Sequence, residues 1–375
     1  MKLLDTVRNV VDNLTAQGYR AFFYGSTARS LLLRSEPLIY YILTDAGLVE
    51  LAQCIESLEY PGKAGYDACC REDGLSFRFK TSSASFDGDL FDALRRSLPK
   101  HMYTVDTFVY DLQRQVFCDP WSNYEHIRRK LLFPTSHFKE LYAKEPGGIF
   151  EALVLFSSSG FELSTELVEQ WKELSFRMKW EEKDEIREEL SVIITSPRSY
   201  ETLVMMEEHG ILREIVPELA KAEKAHHDKE HHPEGNVLQH TLECFRHIEK
   251  PTLELALALL LHDIGKPDTA CYKRSLSFPG HSRVGARIAR NQLRMIGYSE
   301  EIMDRVYFLI LYHLLAHEMN RMNENDRKKL MANPLFPDLM KLFKADILSC
   351  YGDLTHYHRI LAQYNKHKRA FQQEH

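Results

Sequence analysis

The stretch LELALALLLHDIGKPDTA, residues 253–270, decides the reading of this chain. The run Leu253–Leu261 is apolar and long enough for a buried helix. It ends on His262-Asp263, which puts an imidazole and a carboxylate at the rim of a hydrophobic core. An unpaired buried charge is costly, and pairing or metal coordination is the usual escape. Further candidates lie on either side at spacings that suit a helical bundle. His240 lies upstream in NVLQHTLECFRHI (236–248), and His281 follows the loop SFPG and opens a helix. His313 sits in YFLILYHLLAH (307–317), and Asp346 interrupts the apolar pattern of LMKLFKADILSC (339–350). Isolated polar residues on five otherwise apolar elements are odd unless they converge.

Imidazole and carboxylate ligands suit iron, manganese, nickel, cobalt or zinc, and the lack of thiolate disfavours a structural zinc site. Taken singly, His313 reads as a hydrogen-bonded core histidine and Asp346 as a buried ion-pair partner. The ordered set H…HD…H…H…D, with HDIGK behind an apolar helix, resembles the HD superfamily of metal-dependent phosphohydrolases. The resemblance implies one or two divalent ions. His240, His262, Asp263 and Asp346 would hold one; Asp263 would bridge to a second, completed by His281 and His313. Two ions roughly 4 Å apart clamp a phosphate for in-line attack. Lys266, one helical turn past Asp263, is placed to contact a phosphate oxygen, and Arg283 is a second candidate for that task. His232, in HPEGN (232–236), falls in a stretch the resemblance includes and is a candidate pocket residue. His226, His227, His231, His317, His356 and His358 have no place in the pattern and read as surface residues.

Residues 1 to about 135 look like a mixture of helix and strand. Leu3, Leu4, Val7, Val10, Val11 and Leu14 form a helical stripe. Strands are expected at Arg20–Tyr24, Leu38–Leu43, Phe77–Lys80 and Val105–Asp111, with a helix through Leu31–Leu33. The string YGSTARSLLLRSEPLIYYILTD (24–45) resembles the class II CCA-adding enzymes and bacterial poly(A) polymerases, in which GG-x-VRD-x-LLG is followed by a strand carrying D-x-D. Gly25, Arg29, Leu31–Leu33 and Thr44-Asp45 match. Ser26 replaces the second glycine and Ser30 the aspartate. The two catalytic carboxylates of that family fall at Ile39 and Tyr41, positions i and i+2 on one strand face. Ile39 cannot ligate the magnesium ions that such chemistry needs, and neutral Tyr41 is a poor substitute. In KHMYTVDTFVYD (100–111), Met102 takes the position of an aspartate, and three arginines of the following helix become Gly148, Glu151 and Val154. The nucleotidyltransferase site therefore has no surviving residues, and the head is expected to keep the fold without the chemistry. Asp87, Asp89 and Asp92 read as a solvated acidic loop. The stretch 185–219 still resembles the helical neck of that family.

A chain of 375 residues is long enough for two or three domains. The expected fold is an α+β nucleotidyltransferase-like head (1–135), an all-α neck (136–225) and an all-α HD domain with C-terminal helices (226–375). A net charge of −6 argues against a strongly basic nucleic-acid clamp, though Lys366–Arg369 is a local basic run. The seven cysteines are scattered, form no CxxC pair, and read as reduced thiols in a cytoplasmic protein. The N-terminus reads as an amphipathic helix rather than a signal peptide, and no apolar run approaches a membrane span. The function expected from these residues is hydrolysis of a nucleotide or RNA-terminal phosphoester, such as a 2′,3′-cyclic phosphate. The substrate partner would be a nucleotide or an RNA 3′ end, with tRNA and a second copy of the chain as candidate partners. Nucleotide addition by displaced carboxylates and non-catalytic RNA binding are the alternatives.

Overall fold

A computed structural model describes residues 4–37, 39–62, 65–174, 176, 183–224, 236–272, 276–314, 319, 322–350 and 352–374. The chain divides into two compact units, Met1–Gly148 with Phe161–Trp171, and Ile149–Gly160 with Lys172–His375.

The first unit is built on a six-stranded mixed sheet. Its strands are β1 (Ala21–Tyr24), β2 (Ile39–Thr44), β3 (Ala68–Glu72), β4 (Leu75–Thr81), β5 (Val109–Asp111) and β6 (Val116–Cys118), in the order β3-β4-β2-β1-β5-β6. Only β2 and β4 run parallel, with Tyr41 opposite Arg78; the other pairings are antiparallel. Alternation along the strands gives the sheet two apolar faces. Phe23, Tyr40, Ile42, Phe77 and Phe79 pack with Val7, Val10 and Leu14 of α1 (Asp5–Ala16). Phe22, Tyr24 and Leu43 pack on the other face with Ala93 and Leu94 of a helix at Leu90–Ser97. Between β1 and β2 runs α2 (Ser26–Leu32). Gly25 precedes it with φ +62, a backbone state that favours glycine.

Sequence reasoning missed β3 and β6, and it extended one strand too far. Thr104–Asp106 forms a 3-10 turn, and the strand begins only at Val109. Asp106 is spent there on a buried ion pair with Arg29. The acidic cluster is solvated as expected, but Asp89 caps the helix at Leu90–Ser97 and Asp92 lies within it, pairing with Arg96.

The second unit is helical. Of its helices, five carry the candidate site: α3 (Val237–Glu243), α4 (Leu253–Leu261), α5 (His281–Ile296), α6 (Glu300–Tyr312) and α7 (Phe336–Leu348). Four of the five starts have a local cause. Asn236 and Gln239 form a reciprocal capping box for α3, Thr252 caps α4, and Ser299 caps α6. Gly280, at φ +75, turns the chain directly into α5. The apolar helix α4 is wholly buried from Leu255 to Leu261 and packs against both α6 and α7. Among the described residues no helix is long and apolar enough to cross a membrane.

Candidate metal centre

The end of the apolar helix α4 sets the position of everything else. His262 caps its C-terminus and Asp263 follows; they are 0% and 1% exposed. The structure brings His240 from α3, His281 from the first turn of α5, His313 from the end of α6 and Asp346 from α7 to the same point. His313 caps α6 rather than lying within it, since the helix closes at Tyr312.

Asp263 is the hub. Its Oδ2 lies 3.4 Å from His262 Nε2 and 3.7 Å from His240 Nε2. Its Oδ1 lies 3.4 Å from His281 Nε2 and 3.8 Å from His313 Nε2. Asp346 Oδ1 sits 3.0 Å from His240 Nε2 and 3.9 Å from His262 Nε2. One carboxylate therefore faces two groups of imidazoles with its two oxygens, the division that a bridging ligand requires.

The ring orientations favour ligation. Nδ1 of His262 is 2.9 Å from the Leu259 carbonyl, that of His281 2.8 Å from the Phe278 carbonyl, and that of His313 2.6 Å from the Ile310 carbonyl. A carbonyl only accepts, so each Nδ1 carries the proton and each Nε2 presents a lone pair to the centre. His262 Nε2 is buried with no hydrogen-bond partner among the described residues. An orphaned buried acceptor aimed into a cluster of other acceptors is unfavourable unless a cation sits among them. The donor set of imidazole and carboxylate fits a divalent transition ion.

The electrostatics agree. Burial pushes the His262 imidazole below its ordinary range, outweighing the pull of Asp263 and Asp346. Burial, helped by His262, takes His313 down to about 3. Both rings are thus held neutral, the form that ligates. Burial works against the charge of Asp263 and of Asp346. Lys266 and the histidines outweigh it for Asp263, and His240 and His262 do so for Asp346, so both carboxyls lie below the carboxylate range. Cys244 lies near His240, His262 and Asp346, close enough to count as a donor. In the metal-free protein its thiol is pushed up to about 12 by burial and donates to Ser349 Oγ.

Lys266 is buried, with its ammonium 2.5 Å from Asp263 Oδ2, and Asp263 holds its pKa up against burial. Asp263, Lys266, His281, His313 and Asp346 line a cavity of about 330 Å³, with Leu314, Ile347, Cys350 and Asp353 among its other walls. Arg283 is exposed on α5 and is not one of the lining residues. His232 lies outside the described residues, as do His226, His227, His231 and His317.

Two residues escaped sequence reasoning. A Cβ on Gly265 would lie 2.4 Å from the His281 carbonyl oxygen and 2.5 Å from Gly285 N. The glycine of HDIGK is thus what lets the first turn of α5 close on Asp263, and the Gly285 spacing after His281 was the readable signal. Ser349 is the other, at the end of α7.

At the head positions, Ile39 and Tyr41 stand where the resemblance expects carboxylates. Tyr41 Oη accepts a hydrogen bond from Arg78 Nη1 at 2.7 Å, and Arg78 also lies over the Tyr66 ring.

Residues 235–350 match the family model of the HD domain, and residues 160–223 match the probable RNA- and SrmB-binding site of polymerase A. The chain thus carries an HD domain behind a polymerase-type RNA-binding segment. Among curated proteins it is 34% identical over 197 residues to the CC-adding tRNA nucleotidyltransferase of Thermus thermophilus, covering 49% of this chain and 43% of that protein. It is 24% identical over 271 residues to the A-adding tRNA nucleotidyltransferase of Deinococcus radiodurans, covering 68% and 60%. The matched stretches span less than two thirds of either relative. Among solved structures, the Bacillus stearothermophilus CCA-adding enzyme in complex with CTP superposes with a TM-score of 0.60 at 17% identity, over 98% of this chain and 83% of that one. The likeness is one of fold, and it gives the α+β head and the helical remainder the architecture of the CCA-adding enzymes.

Proposed function

We propose that this protein is a divalent-metal-dependent phosphohydrolase of the HD type, acting on a nucleotide or an RNA-terminal phosphoester such as a 2′,3′-cyclic phosphate. The observation that carries the reading is the convergence of four imidazole Nε2 atoms on the two oxygens of one buried carboxylate, at the floor of a cavity. In this reading His240, His262, Asp263 and Asp346 would hold one ion, and Asp263, His281 and His313 would hold a second. Bound ions of this kind polarise a phosphoryl group and activate water. The chain's own residues do the rest. Asp263 supplies negative charge to both positions at once. The backbone carbonyls of Leu259, Phe278 and Ile310 keep three rings aimed inward. Lys266, close to Asp263 and facing the cavity, orients a phosphate oxygen, with Arg283 an outer candidate. Leu314 and Ile347 give the cavity part of its apolar wall.

The RNA-binding segment and the names of the relatives support an RNA 3′ end, tRNA included, as the substrate class, in a cytoplasmic setting. The division at about residues 135 and 225 into head, neck and HD domain belongs to this proposal, as does a homodimer. The names of the relatives also favour a second reading, nucleotide addition. Ile39 and Tyr41 weigh against it, because neither side chain can hold magnesium. A screen with metal-loaded protein decides between them: nucleoside 2′,3′-cyclic phosphates, mononucleotides, dinucleoside polyphosphates and RNA ends on one side, and labelled CTP or ATP incorporation into tRNA on the other. Incorporation without hydrolysis would sink the first reading. Tight RNA binding with neither activity would leave a non-catalytic RNA-binding protein.

A further inference from the structure

The four imidazoles of the centre are not held alike. His262, His281 and His313 each lean on a backbone carbonyl three residues back. His240 instead turns Nδ1 toward two side chains, Ser349 Oγ at 3.2 Å and Cys350 Sγ at 3.7 Å. Ser349 is 6% exposed and lies at the end of α7, three residues beyond Asp346. Its surroundings fix its protons. Its own O–H donates to the Asp346 carbonyl oxygen at 2.7 Å, and the Cys244 thiol donates to its oxygen at 3.4 Å. A serine hydroxyl has one proton and two lone pairs. With the proton given to Asp346 and one lone pair taken by Cys244, the other lone pair is left for His240 Nδ1–H. His240 Nε2 then carries no proton, and it faces Asp346 Oδ1 across 3.0 Å. Two acceptors at that separation are reconciled by a cation that both ligate.

We propose that Ser349 is a positioning residue of the first metal position, and that its hydroxyl selects the His240 tautomer that presents Nε2 to the ion. The assignment rests on the metal-centre reading above. Cys350 is the competing partner, but a thiol accepts weakly and its sulfur lies farther off. The same hydroxyl ties His240 to the backbone of Asp346, so one side chain sets the ring of one ligand against the helix turn that carries another. Loss of such an outer partner costs a metal site about 10–100-fold in affinity.

The test uses the full chain. Long-range proton–nitrogen spectra of ¹⁵N-histidine-labelled, metal-free protein report which His240 nitrogen is protonated, and competition with a chelating dye gives the Co²⁺ and Zn²⁺ affinities. The wild type is expected to show the Nδ1–H tautomer. Ser349→Ala should mix the two tautomers and weaken metal binding about 10–100-fold, while Ser349→Thr, which keeps the hydroxyl, should stay near wild type in tautomer. Cys350→Ala should leave both readouts unchanged. An Nε2–H tautomer in the wild type overturns the proposal, and so does wild-type affinity in a folded Ser349→Ala. If Ser349→Ala fails to fold, the wild-type spectrum and Cys350→Ala decide: a tautomer that changes in Cys350→Ala assigns the role to the thiol. A wild-type chain that binds no divalent ion but shows the Nδ1–H tautomer would end the metal-centre reading while leaving the hydrogen-bond assignment intact.

Discussion

Gly265→Ala is the smallest change that tests whether the centre depends on how closely α5 approaches the HD turn. The backbone of Gly265 is unstrained at φ −85, so alanine meets no conformational obstacle there. The obstacle is space. The added methyl would lie 2.4 Å from the His281 carbonyl oxygen and 2.5 and 2.8 Å from Gly285 N and Cα, all of them backbone atoms that cannot swing aside. Ordinary contact begins at 3.4 Å, so the first turn of α5 must retreat by about 1 Å. Overpacking of this kind costs about 1–3 kcal/mol. His281 rides on the turn that retreats, and its Nε2, 3.4 Å from Asp263 Oδ1, moves with it. A 1 Å misplacement at a reacting centre can cost about a hundredfold in rate. The assay has two arms: urea unfolding for stability, and metal titration with hydrolysis for function. Gly265→Ala should lose stability in the stated range and weaken the ion served by His281 and His313. Gly285→Ala, whose methyl would lie 3.2 Å from Gly265 N, should do less of both. Gly88→Ala, with nothing within 4 Å, is the control and should be neutral or gain about 0.4–1 kcal/mol. A Gly265→Ala protein of unchanged stability and unchanged metal stoichiometry would refute the reasoning.

His262→Ala and Asp263→Ala should each lose most bound metal by elemental analysis, and Asp263→Asn should bind less than His281→Ala, since Asp263 faces both groups of imidazoles; metal-free wild type with full hydrolysis would end that account. In metal-free protein at acid pH the unfolded chain binds the proton that His313 refuses, because the folded pKa is about 3 against an ordinary 6.5. Stability should therefore be full above about pH 6.5 and fall as the pH drops toward 3, by about 2 kcal/mol from His313 at pH 5, with His262 acting in the same direction; urea midpoints that rise on acidification would contradict it. Breaking the buried Arg29–Asp106 pair with Asp106→Ala should cost about 3–5 kcal/mol in a denaturant melt, with a near-zero change showing that the guanidinium finds water instead. Ile39→Asp with Tyr41→Asp should not create CTP or ATP incorporation, and measurable tRNA extension by the double variant would show that the rest of the site had survived.

The centre was legible because its members break strong patterns. His262-Asp263 ends a run of apolar residues, and Asp346 and His313 are polar residues in apolar helices. The resemblance to the HD pattern assembled them into one set, and the structure places a ring nitrogen of each histidine within 4 Å of a carboxylate oxygen of Asp263 or Asp346. What was not legible depends on contacts between residues far apart in sequence. Ser349 meets His240 across 109 positions, and Arg29 meets Asp106 across 77. No local pattern announces either. β3 and β6 escaped for a different reason. β6 is three residues long, and β3, ACCRE, has little of the alternation by which a strand is recognised.

On the proposed reading, the head keeps a fold whose chemistry it no longer performs. A pair of carboxylates on one strand is tolerated where cations neutralise them; without that use their mutual repulsion is a burden. At these positions the strand backbone is tied to α2, and the Tyr41 side chain makes cross-strand contacts. Thr27 Oγ1 donates to the Ile39 carbonyl and accepts from Tyr41 N, each at 2.8 Å, which stitches α2 to β2. The Tyr41 ring packs edge-on against Tyr24 and takes the Arg78 hydrogen bond from β4. A carboxylate at position 41 would lie beside that guanidinium and be claimed by it. Met102 and Gly148, which replace an aspartate and an arginine of the resembled enzymes, also fit each other: a Cβ at Gly148 would come within 2.6 Å of the Met102 sulfur. Restoring the arginine would displace the flexible end of the methionine. No single reversion returns the site, because several of its residues are replaced. In the HD centre, Lys266 pairs with one oxygen of Asp263, while His262 Nε2 has no hydrogen-bond partner among the described residues, and bound cations are the proposed reason for keeping such convergent acceptors together.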